Sequence, residues 1–320
     1  MMMRKRLVWL TVAGVLAAIA TRSATKRART LNPAIGRVLS INGVELHYLD
    51  VGSGEVLVLL HGNGSLIQDF VISGLVEQAA QQFRVIVFDR PGYGWSTRPR
   101  SIRWTPAAQA DLFDAALRQL RIGTAHVLGH SWGSLVAVEW ALRHPASVRS
   151  LVLASGYYYP TARVDALLVS LAALPGLGTL LRHSILPHVV RAAWPLMVRQ
   201  LFRPAHPPPR FSRFPKELAL LPGAIRSSAE ESMMMLEAAE RLQSRYRELE
   251  LPVAIVAGDA DRIVDSRSQS RRLHEEVPGS QLTWLPGVGH MVHHVEPGRV
   301  FEATRLGAAS PPLAALHVRD

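Results

Sequence analysis

Short runs of apolar residues alternate with helical patterns over much of the chain. Such runs are typical of strands buried on both faces of a parallel sheet. They occur at Val56–Leu60, Val85–Phe88, Ala125–Leu128, Val148–Ala154, Val253–Ala257 and Leu282–Leu285. The helical stretches between and after them are about Leu66–Ala80, Pro106 to about Leu120, Trp132–Arg143, about Ser266–Glu276, and from about Pro297 onward. The alternation predicts an α/β fold with a mostly parallel sheet and helices on both faces.

Two extended runs precede this alternation, Arg37–Ile41 and Val44–Val51, with Asn42-Gly43 between them. Asn-Gly between extended runs is the strongest short signal for a β-hairpin, because both residues tolerate a positive φ. The sequence therefore predicts an antiparallel hairpin before the parallel strands.

The alternation stops at Tyr157 and resumes at about residue 251. The segment between them has apolar helical pieces, such as Leu167–Leu174 and Leu177–Leu181, which prolines interrupt, and it shows no strand pattern. Its length is that of a small domain. We therefore predict an N-terminal segment (residues 1–30), a sheet domain (residues 31–156 and 251–320) and a helical insertion (residues 157–250).

The N-terminal segment has the features of a membrane-directed sequence. Arg4, Lys5 and Arg6 precede an apolar stretch, Leu7–Ala20, whose length at ~1.5 Å per residue is below the ~30 Å hydrocarbon core. This is typical of a signal peptide, whereas the basic residues that follow favour a short uncleaved anchor. A basic helix that lies on the fold is the third alternative. We expect the protein to be membrane-associated or exported, with cleavage and orientation left open.

The formal net charge of +11 is concentrated in two segments. Residues 1–36 contain seven basic residues and no acidic one, and residues 157–226 contain nine basic and two acidic residues. Because no nucleic-acid-binding motif accompanies this charge, we predict no nucleic-acid partner. Apolar helices with basic residues are typical of contact with anionic lipid, so membrane contact through the N-terminal segment and the insertion is expected. The chain has no cysteine, which excludes disulfides, thiolate–metal sites and a cysteine nucleophile.

The motif Gly129-His130-Ser131-Trp132-Gly133 lies where a predicted strand ends and a predicted helix begins. A serine on such a turn is lifted above the sheet, and the glycines avoid clashes with the neighbouring strand and helix. The motif predicts Ser131 as a nucleophile. The loop His61-Gly62-Asn63-Gly64 follows another buried strand and can direct a backbone N–H at an oxyanion. We expect the two donors to be the backbone N–H groups of Asn63 and Trp132.

These two motifs, together with Phe88-Asp89-Arg90-Pro91-Gly92-Tyr93-Gly94-Trp95-Ser96, resemble the α/β-hydrolase superfamily in its capped, esterase-like and peroxidase-like branch. The resemblance extends from about Val38 to the last helix, apart from the insertion. It implies a mostly parallel eight-stranded sheet with a helical cap inserted after strand six, where the insertion of this chain lies. It also implies that Asp89 and the residues after it form a scaffold loop.

The resemblance further implies an acid and a base, in the chain order serine, aspartate, histidine. In Gly258-Asp259-Ala260-Asp261 the family's acid position is Asp261, with Asp259 as the alternative. His290, which follows the last predicted strand, matches the family's base. His293 and His294 lie close to it in the sequence, but no further ligands have a metal-binding spacing. We expect neither a metal nor another cofactor.

Together these residues predict a serine hydrolase that cleaves a carboxylic ester with an apolar acyl or alkyl part through an acyl-enzyme. Lactonase, amidase, carbon–carbon hydrolase and perhydrolase chemistry use the same residues and stay open. The alternative from another class is a binding protein that has the fold without turnover.

Overall fold

The computed structural model describes residues 2–161, 169 and 171–310, and the side chains from residue 15 onward. Its eight-stranded sheet has the order β1-β2-β4-β3-β5-β6-β7-β8. The strands are β1 (Arg37–Ile41), β2 (Val44–Val51), β3 (Val56–Leu60), β4 (Arg84–Phe88), β5 (Ala125–His130), β6 (Val148–Ala154), β7 (Val253–Gly258) and β8 (Gln281–Leu285). Strands β3 to β8 are parallel, and β1 and β2 pair antiparallel. The predicted fold class is confirmed.

The hairpin formed by β1 and β2 turns at Asn42 and Gly43, whose φ angles are 49° and 80°. Positive φ at both central residues is what a two-residue type I′ turn requires. Ile41 pairs directly with Val44 across the turn. The hairpin that the Asn-Gly pair predicts is therefore present.

Within the described residues, the α-helices given with bounds are α1 (Met2–Leu31), α2 (Ile67–Ser73), α3 (Leu75–Ala79), α4 (Pro106–Gln119), α5 (Trp132–Arg143), α6 (Leu177–His183), α7 (Leu186–Phe202), α8 (Lys216–Ala219), α9 (Pro222–Gln243), α10 (Arg272–Glu276), α11 (Val292–Val295) and α12 (Pro297–Ala309). Helices of the sheet domain cover both faces of the sheet. Val58 and Leu60 of β3 pack in one apolar cluster with α4 and α5, whereas Leu57 and Leu59 pack in another with α2, α3 and α12. The split follows from the alternation of side chains along a strand.

Two helix boundaries show how local chemistry determines the elements. Thr105 caps α4 as predicted, because its hydroxyl accepts a hydrogen bond of 3.1 Å from the backbone N–H of Ala108. The single helix expected over Leu66–Ala80 is instead two helices, α2 and α3. Gly74 between them has a φ of 81°, and this left-handed conformation ends α2.

The insertion after β6 is helical and includes α6 to α9. The predicted apolar piece Leu167–Leu174 lies largely outside the described residues. At the entrance of the insertion, the side-chain amide of Gln269 accepts hydrogen bonds from the N–H groups of Tyr158 (2.6 Å) and Tyr159 (2.8 Å). It also donates one of 2.9 Å to the carbonyl of Tyr159. These bonds fix the start of the insertion against the sheet domain.

The C-terminal part of α1 packs on the fold. The Thr21 hydroxyl donates a hydrogen bond of 3.2 Å to the carbonyl of Ser184, and Ala28 is buried with apolar residues of the insertion. The Arg29 guanidinium lies 4.8 Å from the centre of the Trp95 ring. Of the three sequence alternatives, these contacts favour a helix that lies on the fold. Among the residues that the structure describes, no helix is both long and apolar enough to span a membrane.

Candidate active site

Ser131 lies on a strained turn between β5 and α5. Its φ and ψ are 53° and −119°, a conformation that costs free energy for a residue with a Cβ. The backbone N–H of Ser131 donates a hydrogen bond of 2.9 Å to the carbonyl of Ala154 at the end of β6. The turn therefore holds the serine at the carboxyl edge of the parallel strands.

The two glycines that flank this turn have no space for a side chain. A Cβ at Gly129 would overlap the backbone of Gly133 and Ser134 in α5. A Cβ at Gly133 would overlap the carbonyl oxygens of Leu60 and His61 at the end of β3. Strand and helix can approach this closely only because both positions are glycine.

The structure brings His290 and Asp261 to Ser131. The Nε2 atom of His290 lies 3.1 Å from the Oγ of Ser131, and its Nδ1 atom lies 2.7 Å from the Oδ2 of Asp261. A carboxylate can only accept, so Nδ1 carries the hydrogen and Nε2 offers a lone pair to the serine hydroxyl. The arrangement can remove the serine proton during attack on a carbonyl carbon.

The carboxylate of Asp261 is held in place by its own loop. Its side chain is fully buried, and its Oδ1 accepts hydrogen bonds from the N–H groups of Ile263 (2.8 Å) and Val264 (3.0 Å). The alternative acid, Asp259, instead accepts a hydrogen bond of 2.7 Å from the N–H of Gly287. The carboxylate that contacts His290 is thus that of Asp261.

The loop with the expected oxyanion donor Asn63 faces the serine. A Cβ added at Gly62 would lie 3.1 Å from the Cβ of Ser131. The side-chain amide of Asn63 is turned away toward α9, where it donates to the carbonyl of Ser228 (3.1 Å) and to the hydroxyl of Ser232 (3.2 Å). Trp132, the other expected donor, is the first residue of α5, so its N–H has no acceptor within the helix.

The buried side chain of Arg90 holds the loop of residues 61–64 in place. The Nε of Arg90 donates to the carbonyl of His61 (2.7 Å), and its Nη2 donates to the carbonyl of Gly62 (2.9 Å). Both guanidinium nitrogens Nη1 and Nη2 also bind the carboxylate of Glu231 on α9, and both side chains have 0% exposure. The scaffold role expected for the loop after β4 is consistent with these contacts, but the sequence did not identify Glu231. The available signal was its place among the buried residues of α9, such as Ala224 and Ala238.

The carboxylate of Asp89 also has a structural role, as the sequence predicts. It is fully buried and accepts hydrogen bonds from the Nδ1 of His47 (2.6 Å) and from the N–H groups of Ile67 (2.9 Å) and Trp95 (3.0 Å). These bonds connect β2, the start of α2 and the loop after β4.

A buried cluster that consists of Asp69, His130, His293 and His294 lies next to His290. The carboxylate of Asp69 accepts hydrogen bonds from the Nε2 atoms of His293 (3.1 Å) and His294 (2.7 Å). The ring of His293 packs against that of His130, whose Nε2 donates to the carbonyl of His290 at 3.2 Å. Burial alone would raise the pKa of Asp69, but the two histidines hold this pKa well below its usual range. The role of Asp69 could not be predicted from the sequence, because nothing in the residues around it indicates distant histidine partners.

Among the described residues, this cluster contains three groups whose spacing could hold a metal ion. Ligand atoms of Asp69, His130 and His293 lie within 4.8 Å of one another. Each carboxylate oxygen of Asp69, however, already accepts a hydrogen bond from an imidazole. The cluster is thus a hydrogen-bonded network in which Asp69 orients His293 and His294. The ring of His293 in turn packs against that of His130.

Because several histidines are buried, we expect the free energy of unfolding to depend on pH. Burial lowers the pKa of His61, His130 and His293 below the ordinary value. In the unfolded chain these imidazoles take up protons near pH ~6.5, so acidification favours unfolding. Each is expected to remove up to about 1.4 kcal/mol from the free energy of unfolding between pH ~7.5 and ~5.5.

Urea unfolding at several pH values measures this effect. The stability should be greatest above pH ~6.5 and decline below it. The variant His206→Gln, which changes an exposed histidine, should retain the same decline. A free energy of unfolding that is constant from pH ~7.5 to ~5.5 would contradict the prediction.

Comparison with known proteins places this geometry in context. A family model described as the alpha/beta hydrolase fold matches residues 55–297. An uncharacterised protein of Mycobacterium tuberculosis is 27% identical over 293 residues, which cover 87% of this chain and 84% of that protein. The 2-hydroxy-6-oxo-2,4-heptadienoate hydrolase of Pseudomonas putida is 25% identical over 281 residues, 85% of this chain and 95% of that enzyme. The solved structure of a bacterial membrane phospholipase A has a similar fold, with a TM-score of 0.66 at 22% identity, covering 97% of this chain and 99% of that one.

Proposed function

The chain belongs to the α/β-hydrolase family, and from that premise we propose that it is a serine hydrolase which cleaves a carboxylic ester with an apolar acyl or alkyl part. The observation that carries the proposal is the hydrogen-bond chain from Ser131 to His290 (3.1 Å) and from His290 to Asp261 (2.7 Å). Ser131 also lies on a strained strand-to-helix turn. Such a turn together with this hydrogen-bond chain is the geometry of an activated serine.

In the proposed reaction the Oγ of Ser131 attacks the ester carbonyl carbon while Nε2 of His290 takes the hydroxyl proton. The resulting oxyanion accepts hydrogen bonds from the backbone N–H groups of Asn63 and Trp132. The carbon–oxygen bond to the alcohol then breaks, and His290 gives its proton to the departing oxygen. Water then attacks the acyl carbon while His290 takes one of its protons. The bond between the acyl carbon and the Oγ of Ser131 breaks, and His290 gives the proton to this oxygen, which releases the acid and free Ser131.

Residues 157–250 are proposed to act as the cap over this site. The support is that α9 contacts the expected oxyanion loop, residues 61–64, directly through the side chain of Asn63. A second, indirect link runs from Glu231 on α9 to the guanidinium of Arg90, which in turn donates to the carbonyl groups of this loop. Large apolar side chains of this segment, among them Leu180 and Leu196 with 64% and 70% exposure, are available to contact an apolar substrate or a membrane.

Labelling with a fluorophosphonate probe tests the nucleophile. Wild-type protein is expected to be labelled, because the probe reacts with an activated serine hydroxyl, and Ser131→Ala should not be labelled. The matched control is Ser134→Ala, since Ser134 directly follows the motif and its hydroxyl donates to the carbonyl of Gly129 (2.8 Å). Unlabelled wild-type protein would instead favour the binding-protein alternative.

A chain-length series of p-nitrophenyl esters tests the substrate class. We expect kcat/KM to rise from acetate to medium-length acyl chains, because each buried CH₂ contributes ~0.8 kcal/mol of transfer free energy. The readout is the release of p-nitrophenol, measured for wild type and for Ser131→Ala as the blank. Best turnover on acetate, with none on longer chains, would contradict the proposed apolar acyl part of the substrate.

A second candidate is the hydrolysis of a carbon–carbon bond. It is favoured by the similarity to the Pseudomonas putida hydrolase. A panel that contains simple esters, lactones and a 2-hydroxy-6-oxo-dienoate separates the two candidates. Turnover of the dienoate alone would favour carbon–carbon cleavage by the same serine.

A further inference from the structure

A cavity of about 610 Å³ lies between α1, the loop after β4 and the beginning of α9. From α1 it is lined by Ala18, Thr21, Arg22, Thr25 and Arg29, whose spacing of three to four residues places them on one side of the helix. Neither Ser131 nor His290 lines it. The cavity is therefore separate from the candidate active site.

The wall of this cavity is positively charged. Arg22, Arg29, Arg98 and Arg226 line it, and none of its described lining residues is acidic. The carboxylate of Glu230 pairs with two of these arginines, Arg98 (2.8 Å) and Arg226 (2.6 Å). Among the described residues, Arg22 and Arg29 form no ion pair, and the excess of positive charge favours an anion.

Arg98 has an unused donor beside the cavity. Only 4% of its side chain is exposed, its Nε binds Glu230, and its Nη1 donates a hydrogen bond of 3.0 Å to the carbonyl of Pro91. Its Nη2 is buried and has no hydrogen-bond partner in the described part of the chain. A buried donor without a partner is costly, and an anion in the cavity would offer it an acceptor.

The beginning of α9 supplies further donors. This helix of 22 residues starts at Pro222, and its first-turn residues Gly223 and Ala224 line the cavity. Their N–H groups have no acceptor within the helix, and no side chain caps them. Gly223 has open space on its Cβ side. Free N–H groups at the positive end of a helix dipole favour a bound phosphate group.

The lowered pKa of His183 is consistent with a positively charged cavity. His183 also lines the cavity. Burial lowers its pKa, and the positive charges of Arg182 and Arg100 lower it further. The region therefore disfavours another cation.

We propose that this cavity binds a phosphate monoester, held by Arg22, Arg29 and Arg98 and by the first N–H groups of α9. A phosphate monoester has up to two negative charges and three acceptor oxygens, which match several guanidinium donors better than one carboxylate would. The volume of about 610 Å³ leaves space for an organic group beside the phosphate. The site does not depend on the proposed esterase activity.

Two sources can present this chemistry, a soluble phosphate monoester or the headgroup of phosphatidic acid in a membrane. Val15, Leu16 and Ile19 of α1, with 54%, 61% and 58% exposure, lie next to the cavity residue Ala18 in the sequence. A lipid bound through its phosphate would find an apolar surface there.

The test uses the full chain and two probes. Calorimetric titration with glycerol 3-phosphate measures the soluble arm, and co-sedimentation with phosphatidylcholine vesicles that contain phosphatidic acid measures the membrane arm. The variants are Arg22→Gln/Arg29→Gln and, at a position that is exposed, Arg22→Glu alone. The control is Arg213→Gln/Arg247→Gln, which removes the same charge from exposed positions outside the cavity.

Binding of either probe by wild type and control, with Kd raised at least about tenfold in both cavity variants, supports the site. Loss of glycerol 3-phosphate binding indicates a soluble ligand, and loss of vesicle binding alone indicates the lipid. Absence of wild-type binding in both arms overturns the proposal. An equal loss in the control does so too, because it shows that only net charge matters.

Discussion

The Asp261→Asn enzyme is expected to lose about 10⁴-fold in kcat, whereas Asp259→Asn should stay within about tenfold of wild type. The carboxylate of Asp261 accepts from the Nδ1 of His290 at 2.7 Å, so it fixes the tautomer whose Nε2 can take the serine proton. An asparagine amide at this place can donate to Nδ1, which favours the other tautomer and leaves a hydrogen on Nε2. The measurement is steady-state kinetics on the best ester of the chain-length series.

The control for this test is Asp259→Asn. Asp259 belongs to the same loop but accepts from the N–H of Gly287. The Oδ1 of an asparagine at position 261 can still accept from Ile263 and Val264, so the melting temperature should change little. A large loss with Asp259→Asn and a small one with Asp261→Asn would move the acid to Asp259.

The second large effect concerns stability. Glu231→Ala is expected to lower the free energy of unfolding by about 3–5 kcal/mol, because it leaves the guanidinium of Arg90 buried without its counter-charge. Both side chains have 0% exposure, so bulk solvent does not screen the guanidinium charge that remains. Urea unfolding followed by circular dichroism measures the change.

The matched control is Glu237→Ala on the same helix. Glu237 pairs with Arg103, and these side chains are 41% and 62% exposed. An exposed pair contributes little to stability because solvent screens its charges, so this variant should remain close to wild type. If Glu231→Ala gives no soluble protein, Glu231→Gln, which retains the shape and one acceptor, should show a smaller loss in the same direction. Equal stabilities for Glu231→Gln, Glu237→Ala and wild type would contradict the prediction.

The two effects are connected through the loop of residues 61–64, which contains the proposed oxyanion donor Asn63. Arg90 binds the carbonyl groups of His61 and Gly62 from the sheet domain, and Asn63 is tied to α9 by its side chain. Donors that are fixed before the reaction need no reorganisation when charge develops on the substrate. The buried pair of Arg90 with Glu231 therefore connects α9 to the loop on which the proposed catalysis depends, and loss of one partner is expected to affect both stability and the position of this loop.

The features that could be predicted from the sequence are local ones. The Asn-Gly turn, the Thr105 cap and the buried strands follow from conformational preferences and side-chain periodicity within a few residues. The turn at Ser131 is of this kind too, because its glycines are required by the strand and helix adjoining it in the sequence. The break at Gly74 was missed, since a single glycine in a helical pattern is also compatible with a continuous helix.

The sequence by itself determined the order and type of the elements and the residues with reactive groups. The tertiary structure decided which of those groups meet. His290 reaches Ser131 across 159 positions, and Glu231 pairs with Arg90 across 141. Such contacts depend on strand order and on the register in which helices pack on the sheet, and these are set by burial of the whole core. The residues next to a side chain in the sequence do not indicate its distant partner. For this reason the contacts of Asp69 and Glu231 were found only in the folded chain.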